Sequence, residues 1–234
     1  MTRSSGKPSS DSDLPAQLPT GDIRVWLGAS AASDSDTFSR ALLSRFTGLA
    51  PADLEIERGE QGKPRLVNGP LALPFSLSHS GDWMVFALSR NVEIGVDIEV
   101  HDSRRELLRL ARRFFSEAET QVLESLHEGP RIERFYDLWT LKEARIKALG
   151  SSLGRELEVS SFTIEDAARG LPAISSRPSS SNTFYGLMTP RPGYSLALCA
   201  LSPSLTPPSI TVYSLSQSGE EHRLPIELRA CSPG

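Results

Sequence analysis

The chain has 234 residues, 38% of them hydrophobic, and a formal net charge of −4. That length holds one large domain or two small ones, and the apolar residues gather in its middle, enough for a sizeable core. The acidic balance excludes a general electrostatic footprint for nucleic acid or anionic membrane, and two cysteines, Cys199 and Cys231, supply neither a disulfide framework nor metal-ligand spacing.

The first stretch, "MTRSSGKPSSDSD", has no apolar segment of signal-peptide type, and no apolar run anywhere is long enough to span a bilayer. A cytoplasmic location is the expectation, and residues 1–20, rich in Ser, Pro and Asp, are expected to be a disordered or leader segment. "DIRVWLG" at 22–28 predicts a first strand. "SDTFSRALLSRFTGL" follows with Phe38, Leu42 and Phe46 at helical spacing and Gly48 near its end. After the short strand "LEIER", Gly62 and Pro64 in "GEQGKPRL" supply turn chemistry. "FSLSH" and "WMVFALS", joined by "SGD", predict a hairpin, and "EIGVDIEV" another strand.

Helical patterns come next. "SRRELLRLARRFF" sets Leu107, Leu110 and Phe114 on one face and arginines on the other. "SEAE" at 116–119 matches a capping box that opens a helix through about Leu126. "IERFYDLWTLKEARIKALG" is the longest helical pattern and stops at Gly150. Strands resume with "SFTIE" and end with "YSLALCALS", with "SSRPSSSN" as a loop between them. The expected organisation is an N-terminal α+β half over 21–103, a C-terminal α+β half over 104–214 and a loose tail over 215–234. "GDWMVFALS" at 81–89 echoes "GYSLALCALS" at 193–202 in length, turn entry and alternation. Two related halves with a cleft between them would explain that echo, and so would coincidence.

Side chains at i and i+2 of a strand share a face. Asp97 and Glu99 therefore point one way and Val96, Ile98 and Val100 the other. Two carboxylates so close repel, which a divalent cation relieves through oxygen ligands; the plainer alternative is an exposed edge with its acids in water. Glu143 and Lys147 lie one helical turn apart, in the order that favours an ion pair. Lys142 and Lys63 have equally plain readings, as a surface and a turn lysine. Ser78 and His79 could act as nucleophile and base or donate to an anion, although neighbours on a strand face opposite ways.

Taken in order, "GKP", "FSLSHSG", "GVDIE", "FFSEAE" and "LWTLKEARIKALG" resemble the 4′-phosphopantetheinyl transferase family, in its larger single-chain form that activates peptide and polyketide synthases. The likeness covers roughly residues 55–202. It implies an α+β pseudo-dimer of two similar halves, a monomer with pseudo-two-fold symmetry, holding coenzyme A in the cleft between them. It implies that Asp97, Glu99 and Glu143 bind Mg²⁺, with Glu143 also the base for the acceptor serine and Asp97 and Lys147 catalytic beside it. Lys147, Lys63, Ser78 and His79 match coenzyme-contacting positions; Lys142 does the same or pairs with an acid such as Glu119. Enzymes of this type carry a longer N-terminal section, with basic residues for the adenosine 3′-phosphate. Here only about twenty residues separate Trp26 from Phe46, leaving Arg40 and Arg45, of which Arg40 fits the family's helix better.

The expected activity is transfer of the 4′-phosphopantetheine arm of coenzyme A to a serine of an apo acyl or peptidyl carrier protein, with release of 3′,5′-ADP. An acidic carrier would suit the arginine face formed by Arg104, Arg105, Arg109, Arg112 and Arg113. Two readings of other classes stand beside it: a Ser/His hydrolase centred on Ser78 and His79, and a non-catalytic binding module descended from such a transferase.

Overall fold

A computed structural model describes residues 18–69, 72–151, 160–165, 171–201, 207–216 and 218–232. Its strands are β1 (Asp22–Ala29), β2 (Ile56–Arg58), β3 (Pro64–Leu66), β4 (Phe75–Ser80), β5 (Trp83–Ser89), β6 (Glu93–Val100), β7 (Ser161–Glu165), β8 (Ala173–Arg177), β9 (Thr183–Met188), β10 (Tyr194–Leu201), β11 (Ser209–Leu215), β12 (Glu221–Leu224) and β13 (Ala230–Cys231). The helices are α1 (Ser35–Thr47), α2 (Leu107–Phe114), α3 (Glu117–Ser125) and α4 (Glu128–Leu149). None of them is long and apolar enough to cross a membrane.

Helix ends follow local chemistry. Asp34 opens α1 by accepting from the amides of Asp36 and Thr37 at 3.0 and 2.9 Å, a contribution of about 1 kcal/mol. The capping box of Ser116 and Glu119 forms as expected at α3. Gly150 ends α4 in the left-handed conformation that glycine adopts without a Cβ penalty. The helix expected from residue 103 begins only at Leu107. Asp102 captures the amide of Arg104 at 3.0 Å, holding the preceding residues in turns.

The strands form a five-stranded sheet, order β12-β11-β1-β5-β4, and a six-stranded sheet, order β6-β10-β9-β13-β8-β7, with β2 and β3 as a separate hairpin. β1 and β11 run parallel, as do β8 and β13; the other pairs are antiparallel. The fold is α+β with mixed sheets. β6, inside the stretch expected to form the first half, hydrogen-bonds to β10 in the second sheet, while β11 joins the first.

Alternation sorts the side chains into layers. Ile23, Val25 and Leu27 of β1 and Val85 and Ala87 of β5 meet Ile94, Val96 and Ile98 of β6 and Leu196 and Leu198 of β10 in a core between the sheets. Trp26 and Phe86, on the opposite faces of β1 and β5, pack with Phe38, Leu42 and Phe46 of α1. Ala197 and Cys199 of β10 pack with Phe135, Tyr136, Leu141 and Ala144 of α4. Each large apolar side chain buried this way contributes roughly 1.5–3 kcal/mol.

Three expectations meet the structure differently. Residues 1–17 of the expected leader lie outside the described residues, and Leu18 is buried against the α1 layer. The stretch from 215 onward supplies β12 and β13 instead of hanging loose. β8 takes in Ser175 to Arg177 from the expected loop. The echo between 81–89 and 193–202 falls on β5 and β10. Each lies next to an edge strand, β4 and β6 respectively, and those two edges face each other.

Candidate active site

The acids of β6 lie on the face covered by α4, because Val96 and Ile98 fill the core between the sheets. Gly95 makes that cover possible. A Cβ there would collide with the carbonyl oxygen of Ala144 and the amide of Ala148, so only glycine lets the helix backbone lie directly on the strand. The two elements run antiparallel: α4 residues 144–148 sit over Gly95, Lys147 reaches Asp97, and the Tyr136 ring stacks on His101 at 5.1 Å.

From the other side, β4 meets β6 through alternating serines. The hydroxyls of Ser76 and Ser80 accept from the amides of Val96 and Val100 at 3.0 and 3.1 Å. Ser78 donates to Asp97 Oδ1 at 2.6 Å and Ser80 to Glu99 Oε2 at 2.7 Å. Side-chain oxygens thus replace a main-chain ladder and satisfy buried donors along the seam. The pattern is visible in "FSLSHS", although only the structure shows what the serines meet.

Asp97, 3% exposed, is held at one oxygen by Ser78 and by the Lys147 ammonium at 2.7 Å, while its buried Oδ2 has no hydrogen-bond partner. A carboxylate oxygen left bare in a protein interior is costly, so it calls for a cation or a ligand. Burial raises the pKa of Glu99, with the Asp97 charge adding to it, against the lowering pull of Ser80, Arg105 and Lys147. Glu143 is pushed up to about 7, first by burial, then by Asp97 and, more weakly, Glu99, with Lys147 opposing. The three acids therefore share one space. Among the described residues, no three acids, histidines or cysteines are gathered at metal-ligand spacing. Lys147 and Ser78 occupy Asp97 Oδ1 and leave Oδ2 open. The all-oxygen donor set and the bare Oδ2 fit a hard divalent cation.

A cavity of about 280 Å³ opens beside this cluster, walled by Phe75, Leu77 and Ile146, with Arg58, Lys63 and Lys147 around it. The Lys63 ammonium is already bound to Glu93 at 2.6 Å and to the carbonyl of Ala148 at 2.8 Å. Arg58, not singled out from the sequence, donates to the Gly62 carbonyl at 3.1 Å, its one hydrogen bond among the described residues. Its sole sequence signal was a position five residues before Lys63 in the turn.

The other expected site residues lie elsewhere. His79 is exposed and faces away from Ser78, so the two form no nucleophile–base pair. Lys142, fully buried, faces the opposite side of α4 and pairs with Glu119 at 3.1 Å, the second of its two expected roles. Burial lowers the pKa of Lys142 and Glu119 opposes that shift. Arg40 binds Asp36 at 2.7 Å and the carbonyls of Pro51 and Leu54. Arg45 pairs with Glu221 and binds the Gly219 carbonyl.

Comparison with known proteins adds to this geometry. Residues 93–199, from β6 to β10, match the family model of the 4′-phosphopantetheinyl transferase superfamily. The chain is 33% identical over 182 residues to 4′-phosphopantetheinyl transferase Sfp of Bacillus subtilis, covering 78% of each chain. It is 35% identical over 201 residues to 4′-phosphopantetheinyl transferase AcpT of Salmonella typhimurium, covering 85% of this chain and 88% of that one. A Synechocystis relative aligns at 43% identity over 115 residues, 47% of its length. Among solved structures, a holo-(acyl-carrier-protein) synthase from Bacillus anthracis in complex with CoA (3′,5′-ADP) superposes with a TM-score of 0.39 and 24% identity. It covers 48% of this chain and 96% of that one.

Proposed function

Because the chain belongs to the 4′-phosphopantetheinyl transferase superfamily, we propose that the cluster of Asp97, Glu99, Glu143 and Lys147 is the centre of its reaction. The protein transfers the 4′-phosphopantetheine moiety of coenzyme A to a serine of a carrier protein, converting apo to holo carrier. The observation that carries the site assignment is a buried acid group with one bare oxygen, standing beside a lysine and a cavity.

Asp97, Glu99 and Glu143 would hold a Mg²⁺ ion, which when bound neutralises pyrophosphate charge. The rest falls to the chain's own residues. The cavity between Phe75 and Ile146 receives the nucleotide end of the coenzyme, with Arg58 and Lys147 toward its phosphates. Glu143, half-buried beside Asp97, takes the proton from the acceptor serine. The serine oxygen forms a bond to the phosphorus next to pantetheine. The bond from that phosphorus to the bridging oxygen breaks, and the electron pair leaves with 3′,5′-ADP. Lys147 stabilises the charge arriving on the leaving group, and losing such a contact typically costs about 10²–10³ in rate.

The reading includes a pseudo-two-fold arrangement of two α+β halves, completed within one chain. The matching positions of β5 and β10 on either side of the β4/β6 seam support it. The test of function is direct. Incubated with coenzyme A, Mg²⁺ and an apo carrier protein, the protein should raise the carrier's mass by one phosphopantetheine arm. An unchanged mass across fatty-acid, polyketide and peptide carriers would overturn the assignment.

A further inference from the structure

We propose that the cavity on the far side of α4, between α3, α4 and the edge strand β7, is a second binding site, and that it takes a small amphipathic anion: a carboxylate on an apolar body. Its volume is about 320 Å³, at the lower end of the range of about 300–1,000 Å³ typical of small-molecule sites. Among the described residues it shares no lining with the cavity beside the acids. Leu138 in its wall and Lys142 lie one helical turn apart, on the face of α4 that turns away from Glu143.

Glu119, Arg134 and Arg177 are the charged groups of the lining, and they are not equivalent. Glu119 accepts from the amide of Phe162 at 2.8 Å and from the amide and hydroxyl of Ser116 at 2.7 and 2.9 Å, and it pairs with Lys142 at 3.1 Å. Its oxygens are taken and its charge is matched, so it offers little to a cation. The two arginines have no such match. Arg134 uses one nitrogen on the carbonyl of Ile164 at 3.1 Å, which offsets no charge, and neither guanidinium forms an ion pair among the described residues. A guanidinium without a carboxylate presents its forked donors to an incoming anion. The hydroxyls of Ser161 and Thr163 stand beside them.

The rest of the wall is apolar, formed by Val122, Leu138, Phe162 and Ile164. Val122 is 43% exposed, an apolar surface that a hydrocarbon body would remove from water. A wholly polar ion such as phosphate would leave that wall wet. A pairing strand fits no better, because the outer edge of β7 is already engaged by side chains: Glu119 holds its Phe162 amide and Arg134 its Ile164 carbonyl. Cationic donors at the mouth and hydrocarbon within select a ligand that carries both kinds of group.

The experiment titrates octanoate into the full chain by calorimetry, with octanol and inorganic phosphate as probes of the two parts of its chemistry. Octanoate should bind saturably, and each of the other two at least about tenfold more weakly. Arg177→Gln should weaken octanoate by about tenfold. Val122→Asp sets a negative charge against the apolar wall and should weaken it as much, with thermal unfolding used to show that both variants are folded. Arg58→Gln, in the cavity beside the acids, should bind octanoate like the parent. No saturable binding, octanol or phosphate binding as tightly as octanoate, or parental binding by either folded variant would overturn the proposal. A loss in Arg58→Gln equal to that in Arg177→Gln would overturn it too, by placing the ligand in the other cavity.

Discussion

Near neutral pH the metal-free Glu143 stands between its two protonation states, because burial and the Asp97 charge act against its ionisation. The native pKa of about 7 exceeds the ordinary 4.5, so the folded chain binds more protons than the unfolded one between those values. This contribution to stability is complete below pH 4.5 and is lost as pH rises toward 7. Glu143→Gln should therefore melt higher than the parent at pH 8 without metal, by an amount on the order of 2 kcal/mol. The same variant should lose about 10²–10⁴ in kcat. A variant with parental stability and parental rate would remove Glu143 from the role of base. At this scale the sequence was informative for Asp97 and Glu99, whose shared face follows from the strand period; their grouping with Glu143 and Lys147 was legible only through the family resemblance. The sequence was less informative for Lys142 and Lys63, whose partners Glu119 and Glu93 lie 23 and 30 residues away and are fixed only by packing.

Among the elements, β6 and α4 do most to build the site, and their contact depends on Gly95. Gly95→Ala drives a methyl group into the α4 backbone. It should cost about 1–3 kcal/mol of stability and reduce turnover further than the stability loss alone implies, because Glu143 and Lys147 move with the helix. Thermal unfolding alongside kcat at a temperature where the variant is folded checks both. Full turnover in a destabilised variant would contradict the idea that the approach of strand and helix sets the acids. Element identities were legible where period, cap and stop agree, as in α3 with its capping box and α4 with Gly150. The start of α2 was not, because Asp102 competes locally for the amide that a first turn would leave free.

For the whole molecule, the chain's end holds the second layer together. Arg229 binds the buried Asp137 of α4 through both terminal nitrogens, and Asp137 also accepts from Ser195 at 2.7 Å. Arg229→Ala leaves that carboxylate without its cation and should destabilise the fold by about 3–5 kcal/mol. Asp137→Asn in the same chain should recover part of the loss, by denaturant unfolding; additive losses would show that the pair is not coupled. The final strands escaped the sequence because their order comes from distant partners. β11 pairs with β1, and β13 lies between β9 and β8, so local pattern in the last residues is weak while the pairing is definite.

The central claim, that the acids of β6 and α4 are assembled for a divalent cation, is open to one direct measurement. Mg²⁺ is titrated into the protein at pH 7 by calorimetry in two buffers of different ionisation enthalpy. Binding should release about half a proton from Glu143, so the heats should differ between buffers, and Glu143→Gln should abolish the difference. No saturable heat, or a heat identical in both buffers for the parent chain, would contradict the account.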